Sequence, residues 1–281
     1  MTVLSSSELQ RFLDIATEAA LAGGAILEKF WGKLTQIEEK GRPGDLVTEA
    51  DKASEEAILS VLHRHLPPDH AILAEESGQA GSVSSPYLWA IDPLDGTTNY
   101  AHQYPFCAVS IGLLIDNRPS LGVIYDPVHR DLFRAAKGLG ATLNRRPIRV
   151  STTERLMDSL LVTGFAYDRR ETSDNNYAEF CHFTHLTQGV RRGGAASIDL
   201  AYVACGRLDG YWERGLSPWD LAAGVVLVEE AGGQVSAYDG SPFDIWSGRI
   251  LASNARIHNA MRLTLEKIRP LPQFALEQPG E

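Results

Sequence analysis

The stretch Trp89-Ala90-Ile91-Asp92-Pro93-Leu94-Asp95-Gly96-Thr97-Thr98-Asn99 runs from an apolar segment straight into two aspartates three positions apart. Residues 88–91 have the length and composition of a short buried strand, and Asp-Pro-Leu-Asp-Gly reads as the turn that stops it. Two readings are open for the aspartates. Asp, Gly and Thr are common in turns and at helix starts, so the stretch can be a turn leading into a helix N-cap. Asp92 and Asp95 are also hard oxygen donors of the kind divalent cations take. Backbone amides after Gly96, opening a helix, can hold a phosphate beside such an ion.

Three more segments deliver carboxylates to the ends of elements. Glu75 and Glu76 close the apolar run 71–74. Asp220 stands in Ser217-Pro218-Trp219-Asp220, which reads as an N-cap serine, a proline at the first helical position and an acid at the third. Thr48-Glu49-Ala50-Asp51 has the same capping form, with Asp where Glu is usual. Each segment taken alone is an ordinary cap or solvated turn. Their recurrence raises the alternative that four element ends converge on one face of a sheet.

Around these points the element types alternate. Apolar residues at helical spacing predict helices over 8–31 and 48–66, the second closed by Pro67-Pro68. Segments 71–74, 88–91, 108–115, 121–125 and 131–136 read as strands, several joined by short polar turns, and so as a partly antiparallel meander. From about residue 151 the order becomes strand 159–163, helix 175–186, strand 189–192, helix 197–205, strand 210–213 and helix 218–231. A strand and a last helix close it. That is an α/β layer. No Gly/Ser-rich or Pro-rich linker intervenes, so residues 8–268 read as one domain with halves of about 8–150 and 151–268, followed by a tail at 269–281.

Thirty-six acidic against 26 basic residues, a formal charge of -10, argue against a broad electrostatic surface for nucleic acid or anionic membrane. An anionic substrate would therefore need a bound cation. Cys107, Cys181 and Cys205 are odd in number and lack C-x-x-C spacing, so neither a disulfide framework nor a thiolate zinc site is indicated. The first residues lack the basic and apolar regions of a secretion signal, and no apolar run reaches the ~20 residues of a membrane span. A cytoplasmic protein is expected.

Four motifs, in order and spread over about residues 8–268, resemble the inositol monophosphatase family of magnesium-dependent, lithium-sensitive phosphatases. They are the segment Asp45 to Asp51 (D-L-V-T-E-A-D), Glu75-Glu76-Ser77, Trp89 to Asn99, and Trp219-Asp220-Leu221-Ala222-Ala223-Gly224 followed by Glu230-Ala231-Gly232-Gly233. The resemblance implies an α/β (α+β) αβαβα sandwich, usually a homodimer, that hydrolyses phosphate monoesters with Mg2+.

Carried over by position, it implies that Glu75, Asp92 and the Leu94 carbonyl hold one magnesium ion, that Asp92, Asp95 and Asp220 hold a second, and that a third, weaker ion sits near Glu75. It gives Thr97 and Asp51 the orientation and deprotonation of the attacking water, and Gly96 and Thr97 the phosphate. Lys40 stands at the family's loop-lysine position, where it adds positive charge near the site. Polyol hydroxyls would meet Gly194, Ala195, Ala196 and Glu213, with further contacts from Asp95 and Asp220. Relatives often have Thr or Ser at the position of Ala195, so one hydroxyl contact is missing here. Inositol 1-phosphate is the favoured substrate. Fructose 1,6-bisphosphate, histidinol phosphate, 3'-phosphoadenosine compounds and NADP stand as alternatives, as does a regulatory binding protein on the same fold.

Overall fold

The computed structural model describes residues 4–82 and 84–271. The tail expected from residue 269 onward lies outside the described residues beyond Leu271. The chain opens with α1 (Ser6–Phe30), whose N-cap Ser5 forms a capping box with Glu8. A two-stranded antiparallel hairpin, β1 (Ile37–Glu39) and β2 (Leu46–Thr48), leads into α2 (Glu49–His65). There follow β3 (Ala71–Ala74), β4 (Gly78–Ala80), β5 (Tyr87–Asp95), the short helix α3 (Thr97–Ala101), β6 (Ala108–Ile115), β7 (Arg118–Asp126), β8 (Asp131–Ala136), β9 (Gly140–Leu143) and β10 (Arg146–Pro147). The second half runs β11 (Leu160–Thr163), α4 (Tyr177–Leu186), β12 (Gly189–Arg192), α5 (Ala196–Ala204), β13 (Gly210–Arg214), α6 (Pro218–Glu230), β14 (Gln234–Ser236), β15 (Arg249–Ser253) and α7 (His258–Lys267).

Two sheets result. The larger has the order β10-β9-β8-β7-β6-β5-β3-β4 and is antiparallel except where β3 lies parallel to β5. The smaller has the order β12-β11-β13-β15-β14, with β12, β11 and β13 parallel and the other neighbours antiparallel. Period-two alternation distributes their side chains over three cores. Trp89, Ile91, Ile111 and Val123 pack under α1 and α2. Ala90, Ile124 and Phe133 face the opposite way and meet α5, α6 and the inner face of the small sheet at Val162, Tyr211, Ile250 and Ala252. Leu161, Trp212 and Leu251 on its outer face join Phe183 of α4 and Met261 and Leu265 of α7. Helix pair, sheet, helix pair, sheet and helix pair make the αβαβα sandwich that the motifs implied. Among the described residues no helix is long and apolar enough to cross a membrane.

Helix α6 lies unusually close to the large sheet. Gly112 and Gly122 are cross-strand partners, and a Cβ on either would come within 2.4 Å of Ala222 or Ala223. Four small residues thus let the helix backbone rest on the sheet, and this fixes Asp220 in the first turn of α6 relative to neighbouring β5. Ser110 Oγ strengthens the tie by donating to the Trp219 carbonyl at 3.1 Å.

Candidate active site

The strand expected over 88–91 does not stop at Ile91: β5 continues to Asp95. In a regular strand residues three apart point to opposite faces, which would separate Asp92 from Asp95. Here Asp92 pairs with Ser110 and Asp95 with Ala108, so three steps on β5 oppose two on β6 and one extra residue bulges out. The bulge turns both aspartates to one side, and it accommodates Pro93, which has no N–H for the ladder. Asp92 Oδ1 accepts from the Leu94 amide at 2.9 Å, and Ser54 Oγ donates to the Pro93 carbonyl at 2.9 Å. Gly96 follows at φ 90°, where a Cβ would lie 2.9 Å from the Phe106 carbonyl oxygen. That turn starts α3 and directs Thr97 back across the bulge.

Thr97 Oγ1 lies 3.0 Å from Asp51 Oδ1 and 3.0 Å from the Leu94 carbonyl, and its single proton serves one of them at a time. Asp51 reaches this place because it is the third residue of α2: its Oδ2 accepts from the Thr48 amide and hydroxyl at 2.9 and 2.6 Å. A capping acid is therefore shared between a helix start and the site. Burial pushes the Asp51 carboxyl up to about 6, against the hydrogen bonds from Thr48 and Thr97 that favour the anion.

Asp220 caps α6 in the same way, its Oδ2 accepting from the Ser217 amide at 2.7 Å. Asp95 Oδ2 accepts from the Ser197 amide at 2.7 Å and from the Ser197 hydroxyl. It thereby supplies to α5 the cap that Ala195, lacking a side-chain oxygen, cannot give. Asp92 is pushed well above the carboxylate range by burial, by the charges of Glu75, Asp95 and Asp220, and by a hydrogen bond with Glu75. Burial raises Asp95 to about 6, and burial with the Asp95 charge raises Asp220 far above normal. Glu75 is held at the end of β3, where its amide donates to the Ile91 carbonyl at 3.1 Å.

Among the described residues no three Asp, Glu, His or Cys side chains stand ready-gathered as a metal cage. Glu75 is turned onto Lys40, and Asp95 and Asp220 each give an oxygen to a helix start. The donor chemistry nonetheless fits a hard divalent cation. Buried anionic oxygens on three neighbouring elements oppose one another's ionisation, and a dication would relieve that repulsion.

The residues expected to meet the polyol stand alongside. Gly194, Ala195 and Ala196 form the turn into α5, and Asn99 of α3 ties it to the bulge by donating to the Gly193 and Phe106 carbonyls at 3.0 and 2.8 Å. Glu213 is buried near the end of β13, accepts from the Tyr211 hydroxyl at 2.7 Å and is pushed up by burial to about 7.

The chain matches the family described as the inositol monophosphatase family over residues 8–270. It belongs to that family. An inositol-1-monophosphatase of Synechocystis is 66% identical over 94% of this chain and 91% of its own length. The solved inositol monophosphatase of Anabaena is 63% identical, with a TM-score of 0.87 over 94% of this chain and 98% of that one. The Nus factor SuhB of Pseudomonas aeruginosa is 43% identical over 92% of this chain and 97% of its own.

Some residues that shape the site in this member of the family had no role read from the sequence. Ser197 and Glu55, which holds the Glu76 and Ser77 amides at 2.9 Å, act on residues remote in the chain, and no local pattern marks them. Asn99 closes the motif that begins at Trp89, but its bonds to Gly193 and Phe106 were not legible there, nor was that of Tyr211 to Glu213. Asp199 is buried on α5 with Oδ1 unpaired.

The raised carboxyls set a pH dependence of stability. Asp51 and Asp95 at about 6 and Glu213 at about 7 hold protons in the folded state that the unfolded chain has released, since its groups titrate near 3.8 and 4.5. Stability from these groups is thus lost as pH rises through 4 to 7. His258, bonded to Ser236 and Ser253 and lowered by burial to about 4, and His70, also lowered by burial, work in the opposite direction. In EDTA the urea midpoint should therefore be lower at pH 8 than at pH 5, by an amount worth roughly 2 kcal/mol or more. A higher midpoint at pH 8 would show that these carboxyls are not held protonated.

Proposed function

We propose that this phosphoric monoester hydrolase cleaves the monophosphate of a polyol, inositol 1-phosphate first, with magnesium as its cofactor. The observation that carries the proposal is the Asp51–Thr97 pair set beside Asp92, Asp95 and Asp220. A proton acceptor poised near neutrality thereby adjoins a buried anionic donor set.

Glu75, Asp92, the Leu94 carbonyl, Asp95 and Asp220 would hold magnesium. Bound there, it would offset the phosphate charge and would make water a nucleophile at neutral pH. Thr97 Oγ1 orients that water and passes its proton toward Asp51, whose carboxyl at about 6 is matched to the task. The Gly96 and Thr97 amides bind phosphate oxygens. Gly194, Ala195 and Ala196 present backbone to the polyol, and Glu213 Oε1 accepts from its hydroxyls while Tyr211 holds Oε2. Asp95 and Asp220 add contacts on the ester side. The water oxygen bonds to phosphorus as the P–O ester bond breaks, and the ester oxygen leaves with the bonding pair and takes a proton from solvent water, giving alcohol and inorganic phosphate.

The relative named Nus factor SuhB favours one other reading, a regulatory binding role on the same fold. Phosphate release with magnesium from inositol 1-phosphate, fructose 1,6-bisphosphate, histidinol phosphate, 3'-phosphoadenosine compounds and NADP separates the two. Turnover fastest on inositol 1-phosphate supports the proposal, and no release from any of them favours the binding role.

The polyol assignment has its own check. Glu213→Gln should lower kcat/KM for inositol 1-phosphate at least about tenfold more than for β-glycerophosphate, because a polar contact discriminates only where its hydroxyl exists. An unchanged ratio of the two kcat/KM values would remove Glu213 from substrate reading and inositol from first place.

A further inference from the structure

Lys40 sits at the turn of the β1–β2 hairpin, which its amide closes by donating to the Asp45 carbonyl at 2.7 Å. Its Nζ donates to Glu75 Oε1 at 2.8 Å and also to Glu76 Oε1. The acceptors are fixed: Glu75 is bonded to β5, and Glu55 clamps the Glu76 and Ser77 amides. The donor rides instead on a two-stranded hairpin whose first strand is wholly exposed. Lys40 and both glutamates are largely covered, with side-chain exposures of 23%, 22% and 12%. Two carboxylates thus hold the ammonium at once. Asp45 is the further acid facing it.

A divalent cation that takes Glu75 therefore meets an ammonium already bonded to the same carboxylate through Oε1, and the two cations repel each other across it. We propose that Lys40 is a tethered counter-ion for Glu75, which an incoming divalent cation must displace, so that the Lys40–Glu75 contact sets the cation affinity of the site. This rests on the reading of Glu75 as a metal ligand. A lysine suits exchange of this kind, because its compact, strongly hydrated charge on a flexible stem regains water once released.

Calorimetric titration of Mg2+ into the chelator-stripped full-length chain tests the inference. Lys40→Met should tighten Mg2+ binding on the order of tenfold, the scale of losing one partly buried ionic competitor. Lys40→Arg, which keeps the charge on the hairpin, should stay near wild type. Lys52→Met removes a cation whose partner is the exposed Glu38, and it should change little at 0.15 M salt, where exposed charges are screened over about 8 Å. Unchanged or weaker affinity in Lys40→Met, or equal tightening in Lys52→Met, would overturn the contact-displacement account. A wild-type chain that takes up no Mg2+ would overturn the ligand reading beneath it.

Discussion

Asp92→Asn is expected to lower kcat on inositol 1-phosphate by on the order of a thousandfold, the scale on which a core electrostatic element acts. Asp92 faces Glu75, Asp95 and Asp220 at once, so one amide removes the charge that both proposed cation positions would share. Its fold should survive, because Asn Oδ1 can still accept from the Leu94 amide as Asp92 Oδ1 does. In EDTA the variant should be more stable than wild type at pH 8, since a buried repulsive charge has gone. Steady-state phosphate release and urea midpoints measure both effects. More than about a tenth of the wild-type rate at saturating magnesium would return the Asp-x-x-Asp-Gly stretch to a plain structural turn.

Removal of magnesium should be nearly as severe. With EDTA in excess, turnover is expected to fall by on the order of a thousandfold, and magnesium added back should restore it. Without a cation, Asp95 presents a phosphate dianion with like charge, burial and mutual repulsion hold Asp92 and Asp220 toward the uncharged acid, and the chain as a whole carries -10. Lys40 cannot substitute, because it is already committed to Glu75 and Glu76. Equal rates with and without chelator would end the cation mechanism and leave Asp51 and Thr97 to act alone.

The layers and several acids were legible in the chain because they obey short-range rules. Thr48-x-x-Asp51 and Ser217-x-x-Asp220 name their helix starts through hydrogen bonds spanning three residues, and the structure shows both capping boxes. Helical spacing located α1 and α2, and short strand-like segments joined by polar turns located β6, β7 and β8. The four motifs, in their order, named the family to which the chain belongs.

The tertiary structure alone decided how those acids meet. Nothing in Trp89 to Asn99 states that β5 runs on through Asp92, because the bulge exists only in register with β6. The union of Asp95 with α5 spans 102 residues, and it meets a need that Ala195 leaves open. Gly112 and Gly122 became meaningful only once Ala222 and Ala223 lay on them and brought Asp220 to the same end of the sheet. Capping and periodicity are written within a few residues, whereas register, close approach and shared burial depend on which distant segment arrives opposite. The sequence by itself therefore determined the element types, their caps and the acids at their ends, and the packing of β5, α5 and α6 decided that those acids stand together.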